Sequence, residues 1–138
     1  MLRLSLLVAT YNRSASLLGA LESVAGQRAD PAVWECVVVD NNSEDDTAAC
    51  VEAFRQAHPG LNLRLVRESR QGLSHARNRG IAESRGEYLA IIDDDERINP
   101  DFVRAYIDFF DTHPEAAAAG GRIIAEYPQG RPRWMSRW

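Results

Sequence analysis

No lysine occurs anywhere in the 138 residues, so every one of the 16 basic side chains is an arginine. That absence excludes a receiver-like module, which needs a lysine late in its sheet, and it weakens a nucleotidyltransferase reading. The latter class needs a glycine-rich loop with Arg and Lys right after the first strand, and Ala9 to Ser16 holds neither glycine nor lysine. Positive charge is scarce as a balance too. With Asp+Glu at 20 the formal net charge is -4, leaving no basic surplus to neutralise a phosphate backbone, so nucleic acid is excluded as a partner.

Cysteine is almost missing: Cys36 and Cys50 stand apart with no CxxC spacing and no companion histidines. They read as buried thiols of a reducing compartment and not as a disulfide or metal pair. Long apolar runs are lacking as well. The run from Met1 to Ala9 has about half the length that a membrane span needs and passes straight into polar residues, so it reads as a first strand.

Hydrophobic residues at 45% and charged residues at 26% match a globular chain, and the length suits one domain over residues 1–138. Apolar runs of strand length occur at Leu4 to Ala9, Cys36 to Val39, Leu61 to Val66 and Tyr88 to Ile92. Near-continuous apolarity is what a parallel strand covered on both faces requires. Helical spacing fills Ala15 to Ala25, Thr47 to Ala57, Leu73 to Ser84 and Asp101 to Phe110. Strand followed by helix, repeated, predicts βαβ units and an α/β fold. Ser14, Ser43 with Asp46, and Pro100-Asp101 mark helix starts, while His58-Pro59-Gly60 and His113-Pro114 mark helix ends. The stretch from Ala116 to Ala119, followed by Gly120 to Ala125, is a candidate further strand with a Gly-Gly kink, although its alanines favour helix. Beyond Tyr127 the periodicity ends, and Trp134, Met135 and Trp138 form a tail that a following segment would be expected to bury.

Chemistry concentrates where predicted strands end. Ile91-Ile92 runs into Asp93-Asp94-Asp95-Glu96, and adjacent carboxylates that repel one another call for a hard divalent cation, Mg²⁺ or Mn²⁺. A solvated acidic turn is the plainer alternative. In an extended turn Asp93 and Asp95 would point to one side and Asp94 to the other. Val39-Asp40-Asn41-Asn42-Ser43 ends the second strand, with Asp40 as an acceptor for an imide or ribose donor and Ser43 or Asn42 as a helix cap. Thr10-Tyr11-Asn12-Arg13 ends the first, offering an aromatic face for a base and a guanidinium for phosphate. On the third helix a wheel puts Leu73, Ala76, Arg77, Gly80, Ile81 and Ser84 on one face. Arg77 there needs a partner, either an aspartate of the 93–95 cluster or a bound phosphate. His75, opposite, reads as a solvated histidine.

Together, Ala9-Thr10-Tyr11-Asn12-Arg13, Val39-Asp40-Asn41-Asn42-Ser43, Gly72-Leu73-Ser74-His75-Ala76-Arg77-Asn78 and Asp93-Asp94-Asp95 resemble family 2 glycosyltransferases of the GT-A fold. The order and spacing of the four elements match from Leu4 to Asp101. The resemblance implies a Rossmann-like three-layer α/β/α sandwich with a mostly parallel sheet, and a donor-binding portion that is truncated. It implies a nucleotide-sugar donor, a UDP-sugar favoured, and inverting transfer to the hydroxyl of a saccharide or lipid-linked acceptor. Tyr11 and Asp40 correspond to nucleobase contacts, with Thr10, Asn12, Arg13 and Asn42 nearby, and Gly72 and Arg77 lie toward the nucleotide. Asp93 to Asp95 corresponds to the DXD element, with Asp94 for ribose and Asp95, assisted by Asp93, for Mg²⁺ or Mn²⁺. Location in the cytoplasm, at the inner membrane face in the full protein, goes with the same resemblance. Family members carry a carboxylate base and an acceptor-shaping segment in a second half, so the base is expected beyond residue 138 and no catalytic residue is named. A nucleotide-binding module without transfer activity of its own is the alternative.

Overall fold

The structure is a computed structural model that describes residues 1–127 and 130–135. Four strands, β1 (Leu4–Thr10), β2 (Trp34–Asp40), β3 (Leu63–Arg67) and β4 (Tyr88–Asp93), alternate with four helices. These are α1 (Ser14–Ala25), α2 (Thr47–Ala57), α3 (Leu73–Glu83) and α4 (Phe102–Thr112). Each lies within two residues of the run that predicts it, while a 3₁₀ turn at Pro31–Val33 has no signal in the periodicity. The strands lie in the order β3-β2-β1-β4, and every pair is parallel.

Pleating sends alternate residues of β1 into two cores. Leu4, Leu6 and Val8 pack with Leu17, Leu21 and Val24 of α1, Val51 and Phe54 of α2 and Val103 of α4. Leu7 faces the other way, with Val37, Val39 and Ala76 of α3. The result is three layers, with α1, α2 and α4 on one face of the sheet and α3 on the other. β2 is buried along its whole length, as its apolarity predicts.

β4 departs from that expectation, because α3 packs over β1 and β2 and leaves Leu89 and Ile91 exposed. The contact stripe of α3 is also narrower than the wheel suggests. Ala76 and Gly80 are buried, whereas Leu73 and Ile81 are exposed. No strand forms over residues 116–125, where Ile123 and Ile124 are 84% and 69% exposed. A strand needs a hydrogen-bonded neighbour, and among the described residues no strand pairs with this segment. Trp134 is exposed and Tyr127 donates to the Met135 sulfur; Trp138 lies outside the described residues.

Cys36 and Cys50 are free thiols, Cys36 buried and Cys50 half-buried. Burial, with help from the nearby Glu35 charge, pushes the Cys36 thiol up to about 12, which removes it from thiolate chemistry. No described helix is long and apolar enough to cross a membrane.

One charged group sits inside the sheet at the end away from the motifs. Glu35, 1% exposed, accepts from Ser5 Oγ at 2.8 Å, Arg64 Nε at 2.9 Å and the Arg85 N–H at 2.8 Å. Burial pushes its carboxyl up, but these hydrogen bonds and the Arg64 charge outweigh burial and hold it below the usual glutamate range. A depressed folded-state value means the contribution is complete above the unfolded-state value and is lost as pH falls through the folded one. Glu35→Gln is expected to cost about 2 kcal/mol at neutral pH, the scale of a hydrogen bond to a charged group. Denaturant unfolding should also show a smaller stability loss on acidification in the variant than in the wild type.

Candidate functional site

Parallel register brings the motifs to one end of the sheet. Thr10 pairs with Asp40, and Ala9 with Asp93, so the last residues of β1, β2 and β4 are neighbours. β1 is also where the strand order reverses, since the chain runs outward through β2 and β3 and then crosses to β4 on the opposite side. The crevice beyond the carboxyl ends at such a reversal is the usual ligand position in open α/β sheets.

A cavity of about 400 Å³ opens there, within the range of small-molecule sites. Thr10, Tyr11 and Arg13 border it from the end of β1 and the loop after it, and Asp93, Asp94 and Asp95 from the end of β4 and the turn after it. Asn41, Gln71, Leu73 and Ala76 close the remaining side. Six of the residues that sequence reasoning selects are thus brought together around one space. Asn12, Asp40, Asn42, Gly72 and Arg77 stand behind or beside that lining.

The three aspartates differ in environment. Asp94 is 6% exposed and accepts from Thr10 Oγ1 at 2.8 Å and from Arg13 Nη1 at 3.2 Å. Asp95 is exposed and meets the same Arg13 nitrogen at 3.0 Å. Asp93, exposed, takes Arg77 Nη2 at 3.0 Å, which supplies the partner that Arg77 requires. Asp94 is turned inward by Thr10 and Arg13 as the chain leaves β4, which leaves the carboxylates on either side of it exposed. The hydrogen bonds that Arg13 donates to Asp94, and then to Asp95, raise its affinity for its proton. Glu96 shapes the turn, accepting from the Asp93 N–H at 3.0 Å.

Two guanidinium groups face three carboxylates here, so the cluster keeps a net charge of -1. Among the described residues no group of three or more Asp, Glu, His or Cys is arranged to hold a metal ion. The exposed pair Asp93 and Asp95 therefore offers a partial donor set. One or two carboxylates completed by ligand phosphates and water is the set that suits Mg²⁺ or Mn²⁺.

The residues outside the lining hold the loops. Asn12 has a positive φ of 50° and ties the β1 loop to the β2 loop: its N–H donates to Ser43 Oγ at 3.0 Å, and its Oδ1 accepts from the Glu44 N–H at 2.8 Å. Asn42, with φ 62°, accepts from Arg67 Nη2 at 2.9 Å. Neither Ser43 nor Asn42 caps α2. The N-cap position is Asp46, which makes no side-chain cap bond, and Asp45 accepts from the N–H of Thr47, the first residue of the helix, at 3.0 Å. Asp40 is buried, and its Oδ1 accepts from the Ser43 N–H at 2.9 Å. Its Oδ2 takes no hydrogen bond from the described residues. Gly72 donates its N–H to Asn41 Oδ1 at 2.8 Å, and His75 is exposed as expected. Gln71 and Asn41 were not selected from sequence, and only the position of Asn41 beside Asp40 could have drawn attention to it.

Known proteins resemble this chain in sequence and in fold. The chain is 28% identical over 136 residues to a glucosyl-dolichyl phosphate glucuronosyltransferase of Haloferax volcanii, covering 97% of this chain and 42% of that protein. Among solved structures, S. aureus TarS in complex with UDP-GlcNAc superposes with a TM-score of 0.73 at 30% identity, over 82% of this chain and 33% of that one. The mannosyltransferase PcManGT from Pyrobaculum calidifontis, in complex with GDP-Man and Mn²⁺, gives 0.74 at 31% identity, over 78% and 32%. The chain thus spans less than half the length of each relative. The three-layer parallel architecture is that of the GT-A glycosyltransferases. The sequence model of glycosyl transferase family 2 matches residues 5–138, from the second residue of β1 to the end of the chain, and to that family the chain belongs.

Proposed function

We propose that this chain is the donor-binding portion of a metal-dependent, inverting glycosyltransferase, with a UDP-sugar as donor and Mg²⁺ or Mn²⁺ as the ion. The observation that carries this reading is the junction of β1 and β4. There an aromatic ring, a carboxamide and three arginine-balanced aspartates border one cavity at the reversal of strand order. Tyr11, 43% exposed, supplies a face for a base to stack on. The free Oδ2 of Asp40 suits an imide donor, and buried Asp94 suits a ribose hydroxyl. Asp95 and Asp93 hold the ion, which when bound offsets charge on the departing diphosphate. Arg77 stands on the diphosphate side of the site and acts there through Asp93, to which its Nη2 donates at 3.0 Å.

Binding of UDP-GlcNAc by TarS supports a uridine nucleotide, and GDP-Man with Mn²⁺ in PcManGT supports the ion. The acceptor is a saccharide or lipid-linked hydroxyl, in keeping with the dolichyl phosphate in the name of the Haloferax protein. That acceptor class fits action in the cytoplasm at the inner membrane face. The hydroxyl displaces the nucleotide at the anomeric carbon with inversion, and the base that deprotonates it belongs to the full protein outside these residues. Calorimetric titration with UDP is expected to show binding that depends on Mn²⁺ and exceeds binding of GDP. Equal binding with and without metal would contradict the metal assignment, and preference for GDP would overturn the uridine assignment.

A further inference from the structure

Asn41 follows the last residue of β2 and is 3% exposed, an uncommon place for a carboxamide. Its side chain is fully occupied by main-chain groups of one loop, residues 68–72, between β3 and α3. Nδ2 donates to the carbonyl oxygens of Glu68 at 3.1 Å and Arg70 at 2.7 Å, and Oδ1 accepts from the Gly72 N–H at 2.8 Å. Gly72 sits at φ 135°, a conformation that favours glycine, so its N–H can turn back toward β2 as α3 begins.

The residue between those anchors is Gln71. Its side chain borders the cavity and forms no hydrogen bond with the described residues. Asn41 therefore grips the carbonyl before Gln71 and the amide after it, while the Gln71 carboxamide keeps both its donor and acceptor capacity.

We infer that Asn41 is a positioning residue for nucleotide recognition: it fixes the main chain on both sides of Gln71 and so sets the wall that Gln71 presents to the base. This rests on the nucleotide-site reading above. The chemistry requires a carboxamide of this length. Aspartate would keep the bond from Gly72 but would set a negative charge against two carbonyl oxygens.

The test is UDP titration of the full protein with Mn²⁺, comparing wild type with Asn41→Asp, Gln71→Ala and the double variant. Glu35→Gln, which destabilises the far end of the sheet, serves as the control. Asn41→Asp is expected to lower affinity roughly 10-fold, the scale of two lost hydrogen bonds. Glu35→Gln should leave affinity unchanged, and the double variant should bind no worse than Gln71→Ala, because Asn41 acts through Gln71. Amide hydrogen exchange without ligand should show lost protection at Gly72 in Asn41→Asp. Wild-type affinity in Asn41→Asp, or additive losses in the double variant, overturn the inference and leave the site reading standing. If the wild-type protein binds no nucleoside diphosphate, the site reading fails and the inference falls with it, while unchanged protection at Gly72 would refute the clamp itself.

Discussion

Asp95→Ala is expected to weaken binding of UDP in the presence of Mn²⁺ by on the order of 100-fold, the upper range for loss of groups that support a metal site. Asp95 is exposed at the cavity rim and its only partner among the described residues is Arg13, so its removal leaves the core intact. The unfolding temperature should therefore stay within about 2 °C of wild type, since surface changes are usually worth less than about 0.5 kcal/mol. Asp94→Ala should behave differently. That carboxylate is buried and joins Thr10 of β1 to Arg13, so both affinity and stability should fall. If Asp95→Ala bound UDP–Mn²⁺ as well as wild type, the ion would have to be held elsewhere.

The largest expected effect on stability comes from a residue far from the site. A Cβ on Gly86 would stand 2.5 Å from Ser5 N and 2.6 Å from Leu4 C, inside the main chain of β1. Backbone in a central strand cannot step aside. Nearby, the Gly86 N–H donates to Ser5 Oγ at 2.8 Å, and the Tyr88 N–H donates to Arg3 O at 2.8 Å as β4 joins β1. Gly86→Ala is expected to cost roughly 3 kcal/mol or more, the upper end for overpacking, and to lower the unfolding temperature by on the order of 10 °C. Gly80→Ala is the informative comparison. Its Cβ would lie 2.1 Å from Leu7 Cδ1, the end of a side chain in a filled core, and alanine returns about 1 kcal/mol of helix propensity. It should therefore destabilise less than Gly86→Ala, by about 2 kcal/mol. Thermal unfolding of both variants decides this, and a Gly86→Ala protein as stable as wild type would contradict the close approach of that turn to β1.

These two glycines also show where the sequence stops being legible. Period and composition locate all four strands and four helices, because apolar runs and helical spacing are local properties. The strand-end motifs are legible for the same reason: Thr10 to Arg13 and Asp93 to Asp95 follow apolar runs directly, and parallel register then carries them to one edge. The partner of Arg77 could be narrowed to the aspartate cluster or a bound phosphate by the cost of an unpaired charge. Gly86, by contrast, is a loop residue whose tightness depends on β1, some 80 positions earlier in the chain. Glu35 sits in a run of buried strand residues, and its role depends on Ser5, Arg64 and Arg85, each supplied by a different part of the chain. Asn41 gives the same lesson, for its neighbour Asp40 attracts notice by charge while its own bonds reach across to residues 68–72. The exposed Leu89 and Ile91 mislead in the other direction, since an apolar run does not reveal which of its faces a helix will cover.

The most direct test of the nucleotide-site account is a crystal structure of the protein grown with UDP and Mn²⁺. The account predicts nucleotide density beyond the carboxyl ends of β1 and β4, with the base on the Tyr11 and Gln71 side and the metal on Asp95. Ordered nucleotide elsewhere on the molecule, with the Asp93 to Asp95 carboxylates still paired only to Arg13 and Arg77, would contradict it.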